Sequence, residues 1–210
     1  MKKILYWLTI CFILVGCAFL DNSDAGKFKI EYEILNNRKT NSGGTYLEIK
    51  IDSNNPMVYS SVEEVMDIAN KTGVIYFGFN ECPWCRNAVP ALVEAAMESG
   101  VEKVHYFDIG YIRDELELTK ENKIKVIKEK SEDYQKIYDT LYDYLDVYEG
   151  LNDETLKRIY APTVFFFKDG KMVKKHVSTL ESHMDAGIVM NELEFNVLKR
   201  IYKDGFEKIK

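Results

Sequence analysis

The stretch VIYFGFNECPWCRNAVPALV, residues 74–93, decides the fold. Val74 to Phe79 is an unbroken apolar run, short enough for a strand buried on both faces. Cys82-Pro83-Trp84-Cys85 follows almost at once, and Pro83 suits the first turn of a helix. From Trp84 the pattern continues helically to Gly100, with Pro90 removing one main-chain hydrogen bond and predicting a kink. A strand thus ends, and a helix begins, on a pair of cysteines two residues apart.

Working outward, Tyr46 to Ile51 alternates apolar and polar residues, which predicts a half-buried strand, and Asp52 to Pro56 predicts a turn. The run Ser60-Ser61-Val62-Glu63-Glu64 carries a glutamate three residues after a serine, a capped helix start. Val62, Val65, Met66 and Ala69 form the apolar stripe of that helix, and Gly73 is expected to stop it. Val101 to Asp108 predicts the next strand. Residues 114–130 are highly charged and fit no template, whereas Ser131 to Tyr148 has the spacing of a helix. Thr163 to Phe167, Lys168-Asp169-Gly170-Lys171 and Met172 to Val177 predict a hairpin. Met190 to Ile209 closes the chain as an amphipathic helix with Leu193, Val197, Leu198 and Ile201 inward. Strands and helices that alternate first and end in a hairpin predict one α/β domain, a mixed central sheet flanked by helices on both faces.

The N-terminus reads differently. Met1-Lys2-Lys3 is a short basic region and Ile4 to Gly16 an apolar one of 13 residues. That is shorter than the roughly 20 residues of a membrane span. Leu14-Val15-Gly16-Cys17 resembles the bacterial lipobox, which implies cleavage before Cys17, lipidation of its thiol and loss of Cys11. The expected organisation is therefore a signal peptide over 1–16, a lipidated tether over 17–44 and a domain over 45–210, held on the outer face of the cell membrane. With Lys2 and Lys3 set aside, 26 basic residues stand against 34 acidic ones, a net charge of −8. So acidic a body argues against nucleic acid as a partner and against an electrostatic grip on anionic lipid.

Cys82 and Cys85 then remain as the only internal dithiol of the mature chain. A disulfide closing so small a loop removes little unfolded-chain entropy, so chemistry explains the pair better than stability. Cys-x-x-Cys between a buried strand and a helix, with Tyr160-Ala161-Pro162-Thr163 just ahead of a hairpin, resembles the thioredoxin-like family across roughly residues 45–209. The phrases VIYFGFNECPWCRNAVPAL and RIYAPTVFFFKDGK also look like thioredoxin-like lipoproteins and bacteriocin-accessory thiol proteins of Gram-positive bacteria.

The resemblance implies a thioredoxin-like fold with a charged, helical insertion before the strand that follows Pro162, a cis Pro162 facing the dithiol, and thiol–disulfide exchange. Cys82, at the helix N-terminus where free N–H groups and the helix dipole favour a thiolate, is expected to attack. Cys85, one turn on, is expected to resolve the mixed disulfide. Pro162 and Ala161 would position a substrate backbone, and Pro83 and Trp84 would contact it. The redox group is the Cys82–Cys85 disulfide itself, with no further cofactor and no bound metal. Partners are expected to be protein thiols and disulfides, a membrane redox protein, and the membrane through the lipid on Cys17.

One departure from the family is plain: where it carries a buried acid six residues before the first cysteine, this chain has Tyr76. Glu81 is either a solvated loop acid or a charge that raises the thiolate pKa. His105, His176 and His183 have no ligand or triad spacing, and the Tyr134, Tyr138, Tyr142 stripe reads as packing. Two readings from other classes stay open: a soft-metal lipoprotein holding Cu(I) on two thiolates, which lacks a further ligand, and a redox-inactive recognition lipoprotein that keeps only the fold.

Overall fold

The computed structural model describes residues 21–210, so Cys11, Cys17 and the expected signal peptide lie outside the described residues. The elements run α1 (Asp24–Glu33), β1 (Met57–Tyr59), α2 (Val62–Ala69), β2 (Gly73–Gly78), α3 (Pro83–Glu98), β3 (Val104–Asp108), β4 (Glu115–Leu118), β5 (Ile124–Lys128), α4 (Glu132–Leu141), β6 (Asp146–Val147), β7 (Lys157–Arg158), β8 (Thr163–Lys168), β9 (Lys171–Val177) and α5 (Glu192–Ile209). Five strands form the central sheet in the order β1-β3-β2-β8-β9. The first three are parallel, and β8 and β9 run antiparallel. This is the strand order of a thioredoxin-like fold, a mixed sheet with helices on both faces.

Period-2 alternation divides the core. Val74 and Tyr76 of β2, with Val164 and Phe166 of β8, face the cluster that contains α1, α3 and α5. Ile75 and Phe77, with Phe165 and Phe167, face the cluster under α2 and α4. The central strands are therefore apolar at successive positions, Val74 to Phe77 and Val164 to Phe167, because both faces are covered.

Several expectations need correction. The tether does not extend to residue 44: Ser23 caps α1, and Phe28 and Tyr32 at i and i+4 are fully buried beneath the sheet. Tyr46–Ile51 is extended, with Ile49 and Ile51 buried and Glu48 and Lys50 exposed, but it pairs with no strand. Tyr46 bonds the main chain of Asn37 and Arg38, and beyond it side chains take the main-chain groups instead. Ile51 N–H donates to Glu33 Oε1 at 2.7 Å, Lys29 Nζ to Ile51 O at 2.7 Å, and Asn36 bonds both Ile49 N and O. The edge strand is β1, which begins six residues after Ile51.

Residues 114–130, which fit no template in sequence, hold the exposed β4–β5 hairpin, and α4 ends at Leu141 rather than Tyr148. Asn70 caps α2, so that Gly73 opens β2 instead of stopping the helix. In α5 Leu193 is exposed, and the inward face is set by Leu198, Tyr202 and Phe206, each four residues apart.

The tyrosine stripe is structural, as expected. Tyr134 Oη accepts from Ile159 N at 3.1 Å, Tyr138 Oη from Lys157 N at 3.3 Å, and Tyr142 Oη donates to Thr155 O at 3.1 Å. Four helical residues rise about 6 Å and two extended residues about 6.6 Å, so the two periodicities match over three contacts. The comb fixes the segment that leads into Ala161 and Pro162.

Candidate active site

Cys82 is the N-cap of α3, with extended backbone, and Pro83 occupies the first turn, where a missing N–H costs nothing. Its sulfur accepts a hydrogen bond from Cys85 N–H at 3.2 Å, doing the work of a capping oxygen. On its other side the thiol donates to Ala161 O at 3.5 Å, and the Ala161–Pro162 peptide is cis. Both cysteines are free thiols. Cys85 is fully buried, whereas Cys82 keeps 5% of its surface exposed. The fold thus brings together Cys82, Cys85, Ala161 and Pro162. Pro83 is exposed beside them, and Trp84 is half-buried with its ring edge-on to His183 at 5.7 Å.

Electrostatics separates the two sulfurs. The hydrogen bond from the Cys85 thiol lowers the Cys82 pKa most, helped by the N–H groups of Cys85 and Trp84 and by the charge of Arg113, against the cost of burial. Burial pushes the Cys85 thiol well above the usual range, and the neighbouring Cys82 sulfur pushes it further. Glu81 is exposed and takes only a long hydrogen bond of 3.4 Å from Tyr111. The charge that bears on Cys82 comes from Arg113, which sequence reasoning missed because it lies 31 residues away in an unpatterned stretch.

Arg113→Met therefore moves the pH midpoint of Cys82 alkylation by iodoacetamide upward. The reaction slows at neutral pH and is unchanged well above the midpoint. An unmoved midpoint would mean that the thiolate does not feel this charge.

At the family's acid position, Tyr76 Oη shares a 3.0 Å hydrogen bond with Tyr32 Oη, and both rings are fully buried. Gly78 makes room for that hydroxyl, since a Cβ there would overlap it. Burial raises both phenols well above 10, so they stay protonated, and the Tyr76 hydroxyl slightly offsets the rise that burial imposes on Cys85. The position holds a neutral donor in place of a base.

Arg86, next to Cys85, is 1% exposed and meets no carboxylate. Its guanidinium donates to Leu47 O from Nε at 3.0 Å and from Nη2 at 2.6 Å, to Tyr32 O at 2.8 Å, to Asn80 O at 3.2 Å and to Asn36 Oδ1 at 2.6 Å. One side chain thereby ties α1, the extended segment and the dithiol loop to α3. Arg86→Met orphans several buried acceptors at once and is expected to cost about 3 kcal/mol or more. The corresponding fall in Tm, roughly 6–12 °C, is read by thermal unfolding followed by circular dichroism.

The remaining histidines are scattered. His105 Nδ1, on the interior strand β3, meets Ser60 Oγ at 2.8 Å, His176 Nε2 meets Thr179 O at 2.8 Å, and His183 lies 3.6 Å from Glu194. Among the described residues no three His, Cys, Asp or Glu side chains gather as metal ligands. An apolar cleft of about 480 Å³ between Pro90, Met97 and Phe195 is lined by neither cysteine nor any residue of the dithiol loop.

No family model and no curated protein matches the sequence. Among solved structures the chain is similar to a thioredoxin from Aeropyrum pernix, at 19% identity over 58% of this chain and 74% of that one, with a TM-score of 0.35. So loose a superposition says nothing about chemistry. Strand order, the cis proline and the paired cysteines at a helix N-terminus define a thioredoxin-like fold that carries a reduced dithiol.

Proposed function

We propose that the protein is a thiol–disulfide oxidoreductase of the extracytoplasmic face, anchored by lipid on Cys17. Its substrates are the thiols and disulfides of secreted or membrane proteins, and a membrane redox partner resets it. The observation that carries this reading is the placement of Cys82 Sγ, which caps α3 and faces the Ala161 carbonyl while Cys85 waits buried behind it.

The chemistry follows from that asymmetry. The Cys82 thiolate attacks one sulfur of a substrate disulfide, forms a mixed disulfide and releases the other sulfur as a thiolate. Once Cys82 is uncharged, the repulsion that raised Cys85 is gone. Cys85 loses its proton, attacks Cys82 and expels the second substrate thiolate. Two substrate thiols and a Cys82–Cys85 disulfide result, a two-electron exchange, and the same steps in reverse donate a disulfide. Pro162, Ala161, Pro83 and Trp84 frame the attacked sulfur and position the substrate chain.

Lipidation rests on Lys2-Lys3, the apolar run and Leu14-Val15-Gly16-Cys17. The sequence likeness to bacteriocin-accessory thiol proteins suggests that small secreted disulfide proteins are among the substrates. The test is capture in membranes of cells expressing the full chain. Cys85→Ser should accumulate protein adducts released by dithiothreitol, and Cys17→Ser should lose both labelled fatty acid and the membrane fraction. Absence of any reducible adduct would overturn the exchange reading, and an unchanged membrane fraction would overturn the anchor.

A further inference from the structure

A cleft of about 410 Å³ is lined by Arg113, whose charge bears on Cys82, and by Lys128, Tyr148 and Arg158, together with Asp114 and Glu115. Two features of it are unusual for so acidic a chain. The first is that its arginines are unpaired. Every ion pair among the described residues is made by a lysine or by His183, and none involves an arginine. Arg113 lies over the Phe79 ring at 4.9 Å, and Arg158 lies over Tyr148 at 4.2 Å. Arg158 Nη2 donates to the main-chain oxygen of Asp114 at 3.1 Å, but its Nε is buried with no acceptor. The second feature is the repulsion between the two guanidiniums, which adds to burial in lowering Arg113. Like charges held together in a cleft, with no carboxylate paired to either guanidinium, call for an anion.

Two indirect paths connect the cleft to the reacting cysteine. Phe79, which Arg113 covers, accepts Cys82 N–H at 3.3 Å through its carbonyl. Arg158 stands four residues before Pro162, on the segment whose Ala161 carbonyl faces Cys82 Sγ. We propose that the cleft between Arg113 and Arg158 is a carboxylate-binding subsite, which selects disulfides and thiols carrying an acidic group close to the reacting sulfur. The inference rests on the exchange reading of Cys82 and Cys85 and specifies its substrate class.

The test uses the reduced mature chain with three disulfides of similar size: 3,3′-dithiodipropionate (anionic), 2-hydroxyethyl disulfide (neutral) and cystamine (cationic). Each rate is divided by that of the same disulfide with dithiothreitol, which removes intrinsic reactivity. A subsite gives dithiodipropionate about a tenfold advantage over the neutral probe, the worth of one charge-assisted hydrogen bond, although the net charge of −8 repels it. Arg158→Met and, separately, Arg113→Met bring that ratio down toward one, and added salt does the same. Cystine peptides with glutamate or glutamine beside the half-cystine separate a polypeptide source of the carboxylate from a small-molecule one. Equal normalised rates for the anionic and neutral probes, or an advantage that survives both substitutions, would overturn the subsite. Failure of all three disulfides to react is a distinct result and would overturn the exchange reading beneath it.

Discussion

Cys82→Ser is expected to abolish disulfide exchange, by more than about 10³-fold, because a serine hydroxyl supplies no thiolate at neutral pH. Cys85→Ser behaves differently. It keeps Cys82 as nucleophile and keeps a hydroxyl able to donate to its sulfur, so the first attack persists and the enzyme stops at a stable mixed disulfide. Cys85→Ala removes that donor, the largest influence holding Cys82 down. Its Cys82 alkylation midpoint therefore moves up relative to wild type, while that of Cys85→Ser moves less. Rapid acid quenching and intact-mass measurement after reaction with a model disulfide distinguish the three variants. Accumulation of the same adduct on Cys82→Ser would reverse the assigned order of attack.

A chain that begins at Thr45 is expected not to fold, whereas one that begins at Ala18 folds. The shorter chain lacks Phe28 and Tyr32, both fully buried in the core beneath β2 and α3. Burial of two such side chains stabilises by about 3–6 kcal/mol. Arg86 loses Tyr32 O and Asn36 Oδ1, and Tyr76 loses its hydroxyl partner deep in the core. The extended segment loses Asn36 and Glu33, which hold Ile49 and Ile51. Together these losses approach the roughly 5–15 kcal/mol that stabilise an ordinary domain. Urea unfolding of the two chains decides the matter. A cooperative transition of similar midpoint and slope for both would mean that α1 is an accessory.

What could be read from the sequence was what local physics writes into neighbouring residues. The apolar run, the cysteine pair, Pro83 and the helix after them are contiguous, and Pro162 announces itself just before a hairpin, so the dithiol and its framing loop were legible. Helix α1 was not. Phe28 and Tyr32 supply only two buried aromatics, and exposed Ile30 and Ile34 blur the stripe they would make. The alternation in Tyr46–Ile51 correctly marked which side chains are buried, but no pattern reveals that the main chain there bonds side chains rather than a strand. Arg86 looks like any helix charge in sequence, and its burial depends on acceptors 39–54 residues away. Arg113 and Arg158 are brought together only by the sheet and the α4 tyrosines.

The most direct test of the central claim is a redox titration of the chain from Ala18 onward, equilibrated in graded dithiothreitol or glutathione buffers and quenched with an alkylating agent. The account predicts one two-electron transition in which Cys82 and Cys85 pair together, with a midpoint within the roughly −270 to −120 mV spanned by thioredoxin-type dithiols. Two thiols that remain alkylatable across the whole range, with no Cys82–Cys85 disulfide formed, would contradict it.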